Sequence, residues 1–262
     1  MVQFPGNMHG MKRYAGFIAL GLLSLAALWF AQEKPAPSGS SNGWTMYPPS
    51  QPAGTSQPDD SRRDTGGKSA PRGTGFDFYV LSLSWSPAFC ASSEGSGNRQ
   101  QCGGDRRHGF VVHGLWPQNE NGYPEFCRSS EPERVPDAIG RTMFDIMPSM
   151  GLIGHQWRKH GSCSGLSQKD YFSATRAAFE AIRLPGKIAS GAEAATLSAD
   201  AIEAAFTEAN PGLSKRGISI SCDGKRLEEV RICLNRDMTF RDCPELDRRG
   251  CRASSTEIIP IR

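Results

Sequence analysis

The sequence predicts an α+β fold, a central antiparallel sheet with helices packed on it and stapled by disulfides. Three observations predict it. Strand-like alternation opens and closes the region from about Phe76 onward, helical periodicity fills the stretch between, and all eight cysteines fall inside that region. The first element is Phe76 to Trp85 (FDFYVLSLSW), which alternates apolar and polar residues and is rich in strand formers. Phe110 to Val112 reads as a second, short buried strand leading into His113-Gly114-Leu115-Trp116-Pro117. Val135 to Met147 reads as a helix that Pro148 ends. Ser167 is placed to cap a helix on which Tyr171, Phe172, Ala178, Phe179 and Ile182 recur at helical spacing. Ser198 is placed to cap another, with Ile202, Ala205, Phe206 and Ala209 on one face, and Asn210-Pro211-Gly212 stops it. Ile218 to Cys222 and Leu227 to Leu234 read as strands around an Asp223-Gly224 turn, a strong hairpin signal. There is no internal repeat.

The chain ahead of this region has another character. Lys12 and Arg13 precede an apolar run from Tyr14 to Ala31 broken only by Ser24, so residues 1–31 read as an export signal or an N-terminal membrane anchor. The run approaches the roughly 18–20 residues that span a bilayer. No clean small-x-small cleavage site follows it, because a cut after Ala31 would put Trp29 where a small side chain is needed. Cleaved signal and uncleaved anchor both stay open, and Met11 makes a better start than Met1 for either. Charges before the run would keep the N-terminus inside and send the rest out. Residues 32–73 are rich in Pro, Gly, Ser and charge and nearly devoid of aliphatic side chains, so they read as a disordered tether. Residues 74–262 are left as the folded domain. The expected destination is secreted or periplasmic, with tethering through residues 14–31 if the segment stays.

An even number of cysteines in an exported chain argues for four disulfides in an oxidising compartment. A zinc site is disfavoured, since no close Cys-x-x-Cys pair exists. The sequence leaves on the order of a hundred pairings open. Net charge is +3, which suits an acidic partner such as nucleic acid but is too small to select one.

Histidine is scarce and unevenly placed. Of five, His9 lies in the targeting region and His108 beside two arginines. His113, His155 and His160 each lie in a short segment dense with Trp, Gly, Lys and Cys. On a helix ending at Gly161, His155 and Lys159 are four apart and share a face, and Gln156 and His160 share the adjacent one. Two imidazoles, an ammonium and an amide then project from one short stretch near a helix C-terminus, where the dipole favours positive charge. That is a compact site for an anion. It is a poor one for a metal: the two histidines are about 140° apart around the helix with no carboxylate between them. No metal or cofactor is expected.

Phe110 to Gln118 (FVVHGLWPQ) and Gly154 to Cys163 (GHQWRKHGSC) closely resemble the two active-site segments of the ribonuclease T2 family, and FYVLSLSWSPAFC is similar to its first strand and first cysteine. The resemblance covers roughly Phe76 to Cys251. It implies an α+β fold with a central antiparallel sheet and metal-independent endonucleolytic cleavage of single-stranded RNA through a 2′,3′-cyclic phosphate, by a protein expected to act as a monomer. It implies that His113 and His160 are the acid/base pair, that His155 and Lys159 hold the phosphate, and that Trp116 stacks on a base. It also implies the pairings Cys127 with Cys163, Cys222 with Cys251, Cys233 with Cys243, and Cys90 with Cys102. Histidine suits proton transfer because its ordinary pKa near 6.5 lets it hold either form at working pH.

The chain departs from the family at Gln156, where a Glu is usual. The amide keeps hydrogen bonding but loses the charge, and a missing anion beside His160 and Lys159 should lower their pKa values. Reduced or shifted activity is expected. The alternatives are a catalytically weakened RNA-binding protein on the same scaffold, or an interaction domain in which the histidines are incidental. Gln118, just after the tryptophan-proline pair, is a candidate contact to a base, and Arg158 a candidate contact to phosphate. Trp85 and Trp157 are assigned to packing.

Overall fold

The structure, a computed structural model, describes residues 69–104 and 107–262. The segment read as signal or anchor, and most of the segment read as a tether, lie outside the described residues. Among the described residues no helix is long and apolar enough to cross a membrane. Packing begins inside the stretch whose composition reads as tether. Ala70 packs against the core, and the carbonyl of Gly73 accepts a hydrogen bond from Arg236 at 3.3 Å.

In chain order the elements are β1 (Phe78–Trp85), the short helices α1 (Ser86–Cys90) and α2 (Arg99–Cys102), β2 (Phe110–Gln118), α3 (Asp137–Arg141), α4 (Met150–Lys159), α5 (Gln168–Glu180), α6 (Gly186–Ala189), β3 (Ala195–Leu197), α7 (Ala199–Ala209), β4 (Ile218–Asp223), β5 (Arg226–Leu234), α8 (Pro244–Arg248) and β6 (Thr256–Ile258). The strands form one six-stranded sheet in the order β2-β1-β5-β6-β3, with β4 on β5. Its ladders are antiparallel except for a single parallel pair, Arg226 with Glu257, so the sheet is mixed.

Alternation along the strands gives the sheet two different faces. Tyr79, Leu81, Leu83 and Trp85 of β1, Ile218 and Ile220 of β4, and Val230, Ile232 and Leu234 of β5 share one face and belong to the main core. Helix α5 packs against β1 and β2, and α7 against β4. The caps follow from the sequence. Ser167 accepts from the backbone N–H of Asp170 at 3.1 Å and Ser198 from that of Ala201 at 3.1 Å, each satisfying a donor the first helical turn would otherwise leave unpaired. The opposite face carries Ser82, Ser84, Ser219 and Ser221, with Glu229 and Arg231 between them. In register, Ser84, Glu229 and Ser221 form one row across β1, β5 and β4, and Ser82, Arg231 and Ser219 the next.

Strand β2 is longer than its apolar stretch predicts. It runs through the whole His113–Gln118 segment, and its Pro117 is tolerated because β2 lies at the sheet edge, where a missing N–H breaks no inner ladder. Its register with β1 jumps from Ser82–Gly114 to Leu83–Val112, which leaves His113 as a bulge. A bulge resets the alternation. Val112 and Leu115, three apart, both enter the core, while His113 and Trp116, also three apart, both line a cavity on the other face. The helix expected over Val135–Met147 is only the five residues of α3. The remainder turns. Val135, Met143, Ile146 and Met147 are nevertheless buried, so the apolar spacing recorded burial that successive turns deliver.

Four disulfides link Cys90–Cys102, Cys127–Cys163, Cys222–Cys251 and Cys233–Cys243.

Candidate active site

Helix α4 carries one wall of the site. Ser149 caps it by accepting from Leu152, and it ends at His160, whose N–H still bonds the carbonyl of Gln156 at 3.0 Å. Gly161 follows because nothing larger fits. A Cβ there would lie 2.5 Å from the ring of Trp157 and 2.9 Å from that of Tyr171. The loop before Cys127 is tied to this helix end twice, by the Cys127–Cys163 disulfide and by a hydrogen bond from Phe126 N–H to the carbonyl of Lys159 at 2.9 Å.

His113, Trp116, Gln118, His155, Gln156, Lys159 and His160 line one cavity of about 600 Å³, together with Tyr123 and Arg231. His113 and His155 also line a second cavity of about 700 Å³, bounded by Ser84, Asn98 and Glu228 among others. These two histidines therefore sit where the cavities meet. Arg158 is not brought in. It is exposed and lines neither cavity. Trp85 and Trp157 are buried, each donating its indole N–H to a backbone carbonyl, Ile259 and Pro132 respectively.

Trp116 is the centre of the arrangement. His160 stacks on it at 5.3 Å between ring centroids, and His113 meets it edge-on at 5.5 Å. The guanidinium of Arg231 lies over the ring at 5.4 Å. The indole N–H of Trp116 donates to Oε1 of Gln156 at 2.8 Å. Gln156 is 1% exposed, so the amide is occupied in fixing the indole. Gly114 makes room for that bond, since a Cβ there would stand 2.0 Å from Gln156 Oε1 and 2.4 Å from Trp116 Nε1. Gln118 donates to the carbonyl of Pro117 at 2.9 Å at the cavity rim.

The electrostatics separate the histidines. His160 is 6% exposed, and its Nδ1 is buried without a hydrogen-bond partner. Burial, then the charges of Lys159, His113 and His155, push its pKa down to about 3, so the ring is neutral at ordinary pH. Burial and the neighbouring Lys159, Arg158 and His113 lower His155 as well. Near neutral pH it therefore offers an N–H rather than a charge, and Lys159 is the cation of the pair. Lys159 in turn lies 3.6 Å from Glu125. His113 Nδ1 is bonded to Oε1 of Glu229, whose other oxygen receives Arg231 at 2.6 and 2.8 Å. Among the described residues no three His, Cys, Asp or Glu side chains gather closely enough to hold a metal ion.

Glu229, Arg231, Glu125 and Tyr123 were not legible as site residues from sequence spacing. The one local signal was the pair of charges two apart in the β5 stretch Glu229-Val230-Arg231, which alternation puts on a single face among apolar neighbours.

The model of the Ribonuclease T2 family matches residues 76–243. A protein named ribonuclease from Aeromonas hydrophila is 36% identical over 168 residues, 63% of this chain and 74% of its own length. A probable ribonuclease from Haemophilus influenzae is 33% identical over 179 residues, 64% of this chain and 61% of its own. Among solved structures, RNase NT in complex with 5′-AMP superposes with a TM-score of 0.51 at 25% identity, covering 72% of this chain and all of that one.

Proposed function

The chain belongs to the ribonuclease T2 family, and from that premise we propose that this T2-type endoribonuclease cleaves single-stranded RNA through the substrate's own 2′-hydroxyl, with His160 as base and His113 as acid. The observation that carries the reading is the pairing of two imidazoles around one indole, with His113 at the meeting point of two cavities. A phosphate at that junction would have a nucleoside to accommodate on either side. His160 takes the 2′-O–H proton, the 2′-oxygen bonds to phosphorus, the bond from phosphorus to the 5′-oxygen breaks, and that oxygen takes a proton from His113. The products are a 2′,3′-cyclic phosphate and a free 5′-hydroxyl. Lys159, by charge, and His155, by an N–H, stabilise the negative charge gathering on the phosphoryl oxygens. Tyr123, 54% exposed at the rim, offers a ring on which a base can stack. Trp116 is already engaged by His160 and Arg231, which favours a structural role for it over base stacking. No step calls for a metal or cofactor.

The assignment of His160 as base rests on its neutrality. A base acts in its unprotonated form, so kcat/KM should stay high into acid and fall only as pH approaches about 3. Gln156→Glu should shift this limb. A carboxylate in place of the buried amide stabilises protonated His160, so the acidic limb should move upward by about one unit or more. A limb unmoved by Gln156→Glu would contradict the account of both residues. RNA binding without turnover would instead favour the weakened-scaffold reading, in which an amide occupied with Trp116 cannot replace a carboxylate. The four disulfides and the apolar run 14–31 support, as part of the same proposal, an exported enzyme, secreted or periplasmic.

A further inference from the structure

We infer that Glu229 is a positioning residue for His113, fixing the imidazole through Nδ1 so that Nε2 faces the substrate and stabilising the positive charge the ring carries before it gives up its proton. The inference rests on the proposed role of His113 in proton transfer.

Glu229 is a charged side chain only 4% exposed, on a strand whose neighbours Val230 and Ile232 are core. A carboxylate is costly to bury unless its oxygens are satisfied, and here both are, one by His113 and the other twice by Arg231. The surroundings leave room for it. Its cross-strand neighbours are Ser84 and Ser221, small enough for the carboxylate to lie across the sheet. The bulge at His113 then aims the ring towards it. An ionised carboxylate only accepts, so Nδ1 must carry the proton and Nε2 is the nitrogen left for chemistry. Burial works to raise the Glu229 carboxyl, but His113 and Arg231 outweigh it and bring it down to about 2, so the anion persists through the working range.

Other charges face His113 as well. Arg231 lies on β5, His155 and Lys159 on α4, His160 just after α4, and Arg249 just after α8. Glu94, Asp223 and Glu228 face it across the second cavity. Among the described residues, only Glu229 is hydrogen-bonded to the ring itself.

The test compares pH profiles of kcat and KM on a dinucleotide. Glu229→Gln keeps the shape and removes the charge. We expect kcat to fall about 10- to 100-fold, KM to stay within about threefold, and the basic limb to move to lower pH by about one unit. Arg231→Gln should move that limb the opposite way, because it leaves Glu229 less neutralised. If Glu229→Gln does not fold, the Arg231→Gln profile carries the test alone. The inference is overturned if Glu229→Gln folds with kcat within about twofold and the limb unmoved, or if the limb of Arg231→Gln is unmoved or moves down. His113→Ala separates this from the underlying reading. Activity surviving in His113→Ala would remove the proton-transfer role itself, whereas its loss beside an unaffected Glu229→Gln would remove only the positioning role.

Discussion

Alanine at His160 or at His113 should lower kcat on single-stranded RNA by about 10²–10⁴-fold, the usual contribution of a positioned general acid or base. KM should change little, because Lys159 and His155, the proposed phosphate-holding groups, remain. The two variants should differ in stability. His113→Ala strands Glu229, a carboxylate with 5% side-chain exposure, with Arg231 as its remaining partner, and should cost about 1–3 kcal/mol in urea unfolding. His160→Ala removes a ring whose buried Nδ1 has no partner, so it gives up no hydrogen bond at that atom, and its penalty comes from lost packing on Trp116. The losses in rate should not add. If the rings work on one phosphate, the double variant should be little worse than either single one. Two additive losses would mean that the histidines act in separate steps or at separate sites.

Removing the Cys127–Cys163 disulfide, by Cys127→Ala with Cys163→Ala, should lower stability by about 2–5 kcal/mol. The bridge closes a loop of 36 residues, against 10 for Cys233–Cys243. A longer loop loses more unfolded-state entropy when closed, so the first deletion should be the more damaging. It should also reach the chemistry. Cys163 lies three residues beyond His160, and Cys127 holds the segment bearing Tyr123 and Glu125 against the end of α4. We expect KM to rise severalfold in the variant under conditions where it remains folded. Urea melts of the two deletions side by side check the order, and equal, small losses would show that the loop is held by its other contacts.

The fold was legible where the chain's local physics decides it. Alternation in FDFYVLSLSW and in the strands flanking Asp223-Gly224 located the centre of the sheet, and Ser167 and Ser198 marked two helix starts because their hydroxyls satisfy backbone donors. The stretch from Val135 to Met147 shows the limit of that reading. Apolar spacing records which residues are buried, and here turns bury them. The chemistry-bearing segments stood out through scarce residue types at tight spacing. What surrounds them did not, since it depends on sheet order and register. His113 meets Glu229 across 116 residues of sequence, by way of a bulge that no local pattern announces. Gln156 shows the same dependence. From sequence it is a missing charge beside His160 and Lys159. In the fold it is a buried acceptor for Trp116, and carboxylates stand elsewhere in the site, Glu125 near Lys159 and Glu229 on His113.

The central claim is that the substrate supplies the nucleophile and two imidazoles move the protons. A dinucleotide digested by the purified protein, with and without excess EDTA, tests it most directly when the products are identified. The account predicts a 2′,3′-cyclic phosphate and a free 5′-hydroxyl at the same rate in both, with no cleavage of the 2′-deoxy analogue. A 5′-phosphate product, cleavage of the deoxy substrate, or loss of turnover on chelation would contradict it.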